Sequence, residues 1–210
     1  FTGNNETVVG IEAKNMAVAY ADSVVREVKR QMGKTDADGR SVACFVDKTG
    51  KKYLPEELAA LILKKMKNDV EAVTGKLIGP VVITVPAYYK DSERRATKNA
   101  GTIAGLDVID VMDEPTAAAL YYGLMKKGQG IRRYMVCDLG GGTFDVTIIE
   151  VDNDGNVTAK ATDGERNLGG TDWDNRIIAK VEKEAQRLGV KLDPATDAAT
   201  CQEVKDKAEK

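Results

Sequence analysis

The 210 residues carry 31 Lys plus Arg against 33 Asp plus Glu, a net charge of −2, with 42% hydrophobic and 30% charged side chains. That is the mix of a chain that folds into one large domain or two small ones, without the basic field that nucleic acids or anionic membranes attract. Histidine is absent, which excludes Ser-His-Asp and Cys-His nucleophile systems, HExxH metal sites and Cys₂His₂ fingers, and leaves carboxylates, lysine, hydroxyls, backbone amides and a bound metal to carry any chemistry.

From Met16 the apolar residues Tyr20, Val24, Val28 and Met32 recur at helical spacing and stop at Gly33, which predicts a helix with a left-handed cap and Lys29 off its apolar stripe. Residues 35–40 are polar. A short strand at 41–46, a turn at 47–50 and Tyr53 then read as a small hairpin. Pro55, Glu56 and Glu57 suit the first turn of a long helix whose predicted buried stripe is Leu58, Leu61, Ile62, Met66, Val70 and Val73, closed by Gly75.

The β-branched run Val81–Val85 predicts a strand buried on both faces. Asp91 is the expected cap of a helix running to Ala104 and Gly105, residues 107–111 a second strand, and Pro115 the start of an alanine-rich helix through Leu124. This βαβα order predicts a parallel α/β layer. A basic connector at 126–133 reads as a solvated loop, followed by strands at 134–137, 144–151 and 157–162, the last two joined at Asp154-Gly155. A helix with Trp173, Ile177, Val181, Ala185 and Leu188 on one face stops at Gly189, and a last helix over 197–210 aligns Cys201, Val204 and Ala208. The order suggests two similar α/β lobes meeting at a cleft.

Cys44, Cys137 and Cys201 form no CxxC and are odd in number, which argues against a disulfide framework or zinc site and fits a reducing, intracellular, cytoplasmic setting. No leader pattern opens the chain and no apolar run approaches the ~18 residues of a membrane span. The N-x-T sequons at Asn5 and Asn156 are expected by chance. Phe1 at the start and a last helix without a capping glycine read as a piece of a longer chain.

The most informative string is DLGGGTFD, residues 138–145. Gly140, Gly141 and Gly142 would allow positive φ and close approach, so that successive amides cradle phosphate oxygens, with Thr143 offering a hydroxyl. Asp138 and Asp145 beside an anion call for a divalent metal such as Mg²⁺, held by one or two carboxylates. Neither GxxxxGK[ST] nor a strand-to-helix glycine fingerprint is present, so the grip would be strand–loop–strand; a tight hairpin with two solvated aspartates is the alternative. In NLGGTDWD, residues 167–174, Gly169 and Gly170 could bring the chain close to a ligand at a helix N-terminus capped by Thr171 or Asp172, or form an ordinary capping loop. Asp113 and Glu114 fall beyond a strand's carboxyl end, where α/β sheets place ligands, although Glu114 equally complements a helix dipole. Taken singly, Pro86 ends a strand and Arg94 is a helix charge.

Together the strings VKRQMG, VVITVPAYY, RRATKNAGTIAGLDV, DEPTAAALYYG, DLGGGTFDVTIIEV and LGGTDWD resemble the ATPase domain of the seventy-kilodalton heat-shock chaperones of the DnaK type, over nearly the whole chain. The resemblance implies an actin-like, ribonuclease-H-like α/β fold, with lobes expected at residues 1–132 and 133–210 and ATP or ADP with Mg²⁺ between them. It matches Gly140, Gly141, Gly142 and Thr143 to a phosphate loop, and Asp138 and Asp145 to carboxylates that meet the metal through water. Lys29 matches the lysine at the terminal phosphate, Glu114 a water-positioning carboxylate, Glu209 a nucleoside contact, and Pro86, Tyr88 and Arg94 a relay to a peptide-binding domain. Unfolded peptides, a J-domain co-chaperone and a nucleotide exchange factor are the implied partners, in protein folding and the stress response, with no nucleic acid or membrane. The family's first, DLGTT-like phosphate hairpin does not occur here, and Thr171 and Trp173 replace the usual acidic residue and phenylalanine. The expectation is therefore a piece without steady-state ATPase activity of its own. The alternatives are a sugar kinase or filament protein of the same fold, or a non-hydrolysing interaction module.

Overall fold

The structure, a computed structural model, describes residues 1–2, 6–17, 19–20, 23–123, 127–193 and 197–209. A short helix α1 (Ile11–Asn15) and a 3₁₀ turn at Val28–Gln31 open it. The helix expected from Met16 to Met32 does not form in the described residues; Val18, Ala21 and Asp22 lie outside them. Its apolar residues are used otherwise. Val28 and Met32 are buried in the core beside Tyr53, Leu58, Val85, Tyr89, Ala96 and Ala100, a packing demand that overrides periodicity. Gly33 does take the left-handed conformation, at φ 67°, and a Cβ there would meet Glu93 at 2.6 Å.

The predicted hairpin is present as β1 (Phe45–Val46) antiparallel to β2 (Lys52–Tyr53), with Phe1 and Phe45 stacked at 5.3 Å. Asp47 organises its turn: Oδ1 accepts from the Thr49 and Lys51 amides and the Thr49 hydroxyl, and Oδ2 from the Tyr53 hydroxyl. Helix α2 (Pro55–Thr74) ends at Gly75 in the left-handed conformation as expected. Only its first turns are buried, at Leu58 and Ala60, while Ile62, Met66, Val70 and Val73 are exposed, against the expected stripe.

Next come β3 (Val81–Val85), α3 (Asp91–Ile103), β4 (Val108–Asp113) and α4 (Glu114–Tyr121), with β3 and β4 parallel, so the βαβα reading holds. Leu124 lies outside the described residues. The strand β3 is not buried on both faces: Val82 and Thr84 are exposed. Helix α3 covers the other face through small residues. Ala96 and Ala100 are buried, and a Cβ on Gly101 would sit 2.4 Å from Val108 Cγ2, so only glycine permits this approach. The helix cap differs from expectation too. The N-cap is Lys90, whose amide donates to Glu93 Oε2 at 2.7 Å, and Asp91 is already helical.

The second half is an antiparallel meander, β5 (Arg132–Leu139), β6 (Phe144–Val151) and β7 (Val157–Glu165), in the order β5-β6-β7. The central strand alternates cleanly, with Asp145, Thr147, Ile149 and Val151 buried. Helix α5 (Gly170–Arg187) and helix α6 (Ala198–Ala208) follow, α6 capped by Asp197, which accepts from the Thr200 amide. The apolar face of α5 is half exposed at Trp173 and Ile177 and packs partly on α6.

Candidate functional site

The turn from β5 to β6 places the first glycine string. Asp138 and Asp145 are direct cross-strand partners, as are Leu139 and Phe144, so Gly140, Gly141, Gly142 and Thr143 form the loop, closed by Gly140 N–H donating to the Thr143 carbonyl at 3.0 Å. None of the three glycines has positive φ, so the expectation of left-handed backbone is corrected. What glycine provides here is proximity. The second string lies against the first: a Cβ on Gly169 would fall 2.5 Å from Gly141 C and Gly142 N. Gly170 N–H donates to Gly140 O at 3.1 Å and Thr171 N–H to Gly141 O at 2.9 Å. The first amides of α5 are thus taken up by loop carbonyls.

Arg30 completes the clamp. Its guanidinium donates to the Gly142 carbonyl (2.7 and 3.0 Å) and pairs with Asp172 (2.5 Å) and Glu27 (3.0 Å). Asp172 is accordingly held below the usual carboxylate range by Arg30. It sits in the first turn of α5, whose N-cap is Gly169. All three loop carbonyls therefore face protein donors, whereas the N–H groups of Gly141 and Gly142 donate to no acceptor among the described residues. Free amides on a bent loop form an anion-binding concavity.

Around the loop stand the predicted polar residues. Lys29, on the 3₁₀ turn, donates to Glu114 Oε1 at 2.9 Å; Glu114 is the first residue of α4, and Asp113 closes β4 instead of lying beyond it. Asp145 is 7% exposed, and neither carboxyl oxygen has a hydrogen-bond partner among the described residues. Burial pushes its pKa up, Glu114 and Asp138 add to that, and Thr143 and Lys29 oppose it; the Thr143 hydroxyl is near without closing a hydrogen bond to either oxygen. A Cβ on its partner Gly164 would strike Phe144 O at 2.3 Å and Asp145 Oδ1 at 3.0 Å, so glycine also supports the strand beside this carboxylate.

Pro86 is buried at the end of β3. Tyr88, half-buried, faces the same cluster: burial and then Asp145 push its phenol up to about 12, with Arg166 and Thr143 opposing. Arg94 donates to Tyr89 O at 3.0 Å and pairs with Asp113 at 2.5 Å, tying α3 to the end of β4. Glu209 stands apart. It pairs with Lys14 and lines a 560 Å³ cavity with Thr171, Asp174, Asn175 and Lys205, and that cavity includes none of Lys29, Glu114, Asp138 and Asp145. Sequence reading missed Arg30, Glu93, Gly164 and Arg166, and it took Thr171 or Asp172 for the helix cap, whereas the N-cap is Gly169 and Asp172 pairs with Arg30. Arg30 adjoins Lys29 and Asp172 lies in the second glycine string, but their meeting spans 142 positions and only folding reveals it.

Two glycine strings packed backbone to backbone leave loop amides and a buried carboxylate without hydrogen-bond partners among the described residues, a concavity of the kind that receives an anion beside an uncompensated negative charge. The sequence model of the family described as Hsp70 protein matches residues 1–210, and the chain belongs to that family of ATP-binding chaperones. Hsp70 domains generally bind nucleotide and Mg²⁺. The residues present fit such a cation: Asp145 is buried and unpartnered, and its cross-strand neighbour is a second carboxylate, an arrangement destabilising without positive charge. No group of three or more Cys, Asp or Glu that could hold a metal ion occurs among the described residues. Among the described residues no helix is long and apolar enough to cross a membrane.

Proposed function

We propose that this chain is the ATP-binding and ATP-hydrolysing region of an Hsp70-type chaperone, of actin-like fold, in which nucleotide state governs the holding of unfolded peptides elsewhere in the full-length polypeptide. What supports it most is Asp145: a buried carboxylate without a donor among the described residues, opposite Asp138 and beside a loop with free amides, is accounted for by a hydrated cation and an anion occupying the site together. Residues 1–132 and 133–210 are read as parts of two lobes. Among the described residues the ion pairs Lys14–Glu209, Arg30–Asp172 and Arg166–Glu93 join them.

The roles are those that the family resemblance implies, and charge and position support them. The Gly141 and Gly142 amides bind phosphate oxygens, and the Gly142 carbonyl stays turned away by Arg30. Through water, Asp138 and Asp145 would hold Mg²⁺, which would supply positive charge against the phosphates. Lys29 stabilises charge on the terminal phosphate, and Glu114, held in place by Lys29, orients the attacking water. Phosphoryl transfer needs positioning and electrostatics more than a nucleophilic side chain, so the lack of histidine is no obstacle. The Thr143 hydroxyl acts on both Asp145 and Tyr88. Pro86, Tyr88 and Arg94 would report the state of the site toward a peptide-binding domain, a reading supported by the pairing of Arg94 with Asp113, and a J-domain co-chaperone and exchange factor are the expected regulators. A cytoplasmic location fits the same reading.

Single-turnover hydrolysis of ATP by the full-length polypeptide carrying these residues, with and without Mg²⁺, tests the proposal. Turnover that rises with unfolded peptide supports it; turnover that rises only with a small hydroxylated acceptor points to a kinase instead.

A further inference from the structure

Arg166 lies in the turn that leads from β7 into the second glycine string, three positions before Gly169. Its guanidinium makes two contacts with the other half of the chain. Arg166 Nη1 donates to Glu93 Oε1 at 2.7 Å, and its charged carbon stands 4.5 Å from the centroid of the Tyr88 ring. Glu93 is a rigid anchor, because its side chain is 10% exposed, its second oxygen caps the Lys90 amide, and Gly33 packs on it too closely to admit a Cβ. Directly before Arg166, Glu165 pairs with Phe144 and Gly164 with Asp145 across the strands, and Asp145 and Thr143 act on the Tyr88 phenol. A charge-assisted hydrogen bond and a cation over an aromatic face hold one guanidinium in one place.

The second glycine string is the floor under the phosphate-side loop, through Gly169 against Gly141 and the bonds from Gly170 and Thr171. Arg30 clasps that loop from the side of the 3₁₀ turn. On the side of α3, Arg166 is the residue that fixes the floor relative to Tyr88. We infer that Arg166 is a positioning residue, which sets the register between the double glycine loop and the Tyr88 face of the site and so holds Asp145 and Thr143 where hydrolysis needs them. The inference rests on the ATPase reading for its kinetic consequence, and on the contacts alone for its structural one.

The experiment compares Arg166→Met and Arg166→Lys with wild type in the full-length polypeptide, by amide hydrogen exchange and by single-turnover hydrolysis of MgATP. Arg166 is half exposed, so neither variant threatens the fold. In Arg166→Met the amides of Gly170 and Thr171 are expected to exchange about tenfold faster while those of α2 stay unchanged. The hydrolysis rate is expected to fall about tenfold or more with MgATP affinity within about twofold, since misplacing a loop by an ångström damages rate more than binding. Arg166→Lys recovers part of both, keeping the charge but losing the planar contact. Unchanged exchange at Gly170 and Thr171, faster exchange throughout the protein, or faster local exchange with an unchanged rate would each overturn the inference. Should wild type itself fail to hydrolyse ATP, the ATPase reading falls, and the exchange measurement by itself decides whether Arg166 positions the loop.

Discussion

Gly169→Ala probes how the phosphate-side loop is held. Gly169 has φ −173° and ψ −172°, extended backbone that alanine adopts freely, so the whole effect is steric. The added Cβ would stand 2.5 Å from Gly141 C and Gly142 N and 2.6 Å from Gly141 O. Ordinary contact begins at about 3.5 Å, so the two strings must part by about 1 Å, and no rotamer relieves the clash because every atom struck is backbone. That separation carries the bonds from Gly170 and Thr171, now 3.1 and 2.9 Å, out of hydrogen-bonding range. Overpacking together with two weakened neutral hydrogen bonds costs about 2–4 kcal/mol. Gly141→Ala is the matched control: a Cβ there meets nothing within 4 Å and its φ is not positive, so its effect on stability stays within about 0.5 kcal/mol. Urea unfolding and titration calorimetry with MgADP measure both quantities. If Gly169→Ala is as stable as Gly141→Ala and binds nucleotide as well as wild type, the packing of the two strings does not support the site.

Lys29→Ala removes a half-exposed ion pair and is expected to change stability by less than about 1 kcal/mol, yet to slow single-turnover hydrolysis about a hundredfold or more with nucleotide affinity nearly intact; unchanged turnover would remove Lys29 from the chemistry. The raised pKa of Asp145 means that folding favours its protonated form, so its ionisation lowers stability as pH rises through and above the ordinary carboxylate range. Asp145→Asn should therefore stabilise the nucleotide-free protein at neutral pH by on the order of 1 kcal/mol, read as a higher melting temperature, and abolish the extra stabilisation that Mg²⁺ gives the ADP complex; a lower melting temperature would show that the carboxylate has a partner. Asp47 behaves in the opposite sense. The Thr49 hydroxyl foremost, with the Thr49 and Lys51 amides and the Tyr53 hydroxyl, lowers its pKa from 3.8 to about 2, so its contribution is complete above 3.8 and is lost as pH falls toward 2. Asp47→Asn should flatten that portion of the acid-unfolding curve followed by circular dichroism, and an unaltered curve would dismiss the turn as an acid-labile element.

Local signals were legible wherever one short segment decides the outcome. Gly75, Gly155 and Gly189 take the left-handed conformations that their positions call for, and the strand predicted at 144–151 matches the central strand to the residue. The segment from Met16 to Met32 misled because helical spacing of apolar residues is also what a chain shows when scattered anchors, here Val28 and Met32, dock into a core built by α2, β3 and α3. The stripe on α2 and the outer face of β3 are apolar yet exposed, since burial depends on what packs against a surface and not on its composition.

For the site, sequence alone determined the chemical inventory: glycine strings, flanking aspartates, a lysine, a glutamate before a proline, no histidine, and motifs specific enough to name the family. Residue types and short spacings suffice for that. Tertiary structure decided which groups meet. It paired Lys29 with Glu114, set Glu209 apart from them, laid Gly169 on Gly141, turned the loop carbonyls onto Arg30 and α5, and left Asp145 buried without a donor among the described residues. Hydrogen-bond completion and desolvation are sums over neighbours in space, and neighbours 85 or 142 positions apart in the chain exist only once it has folded.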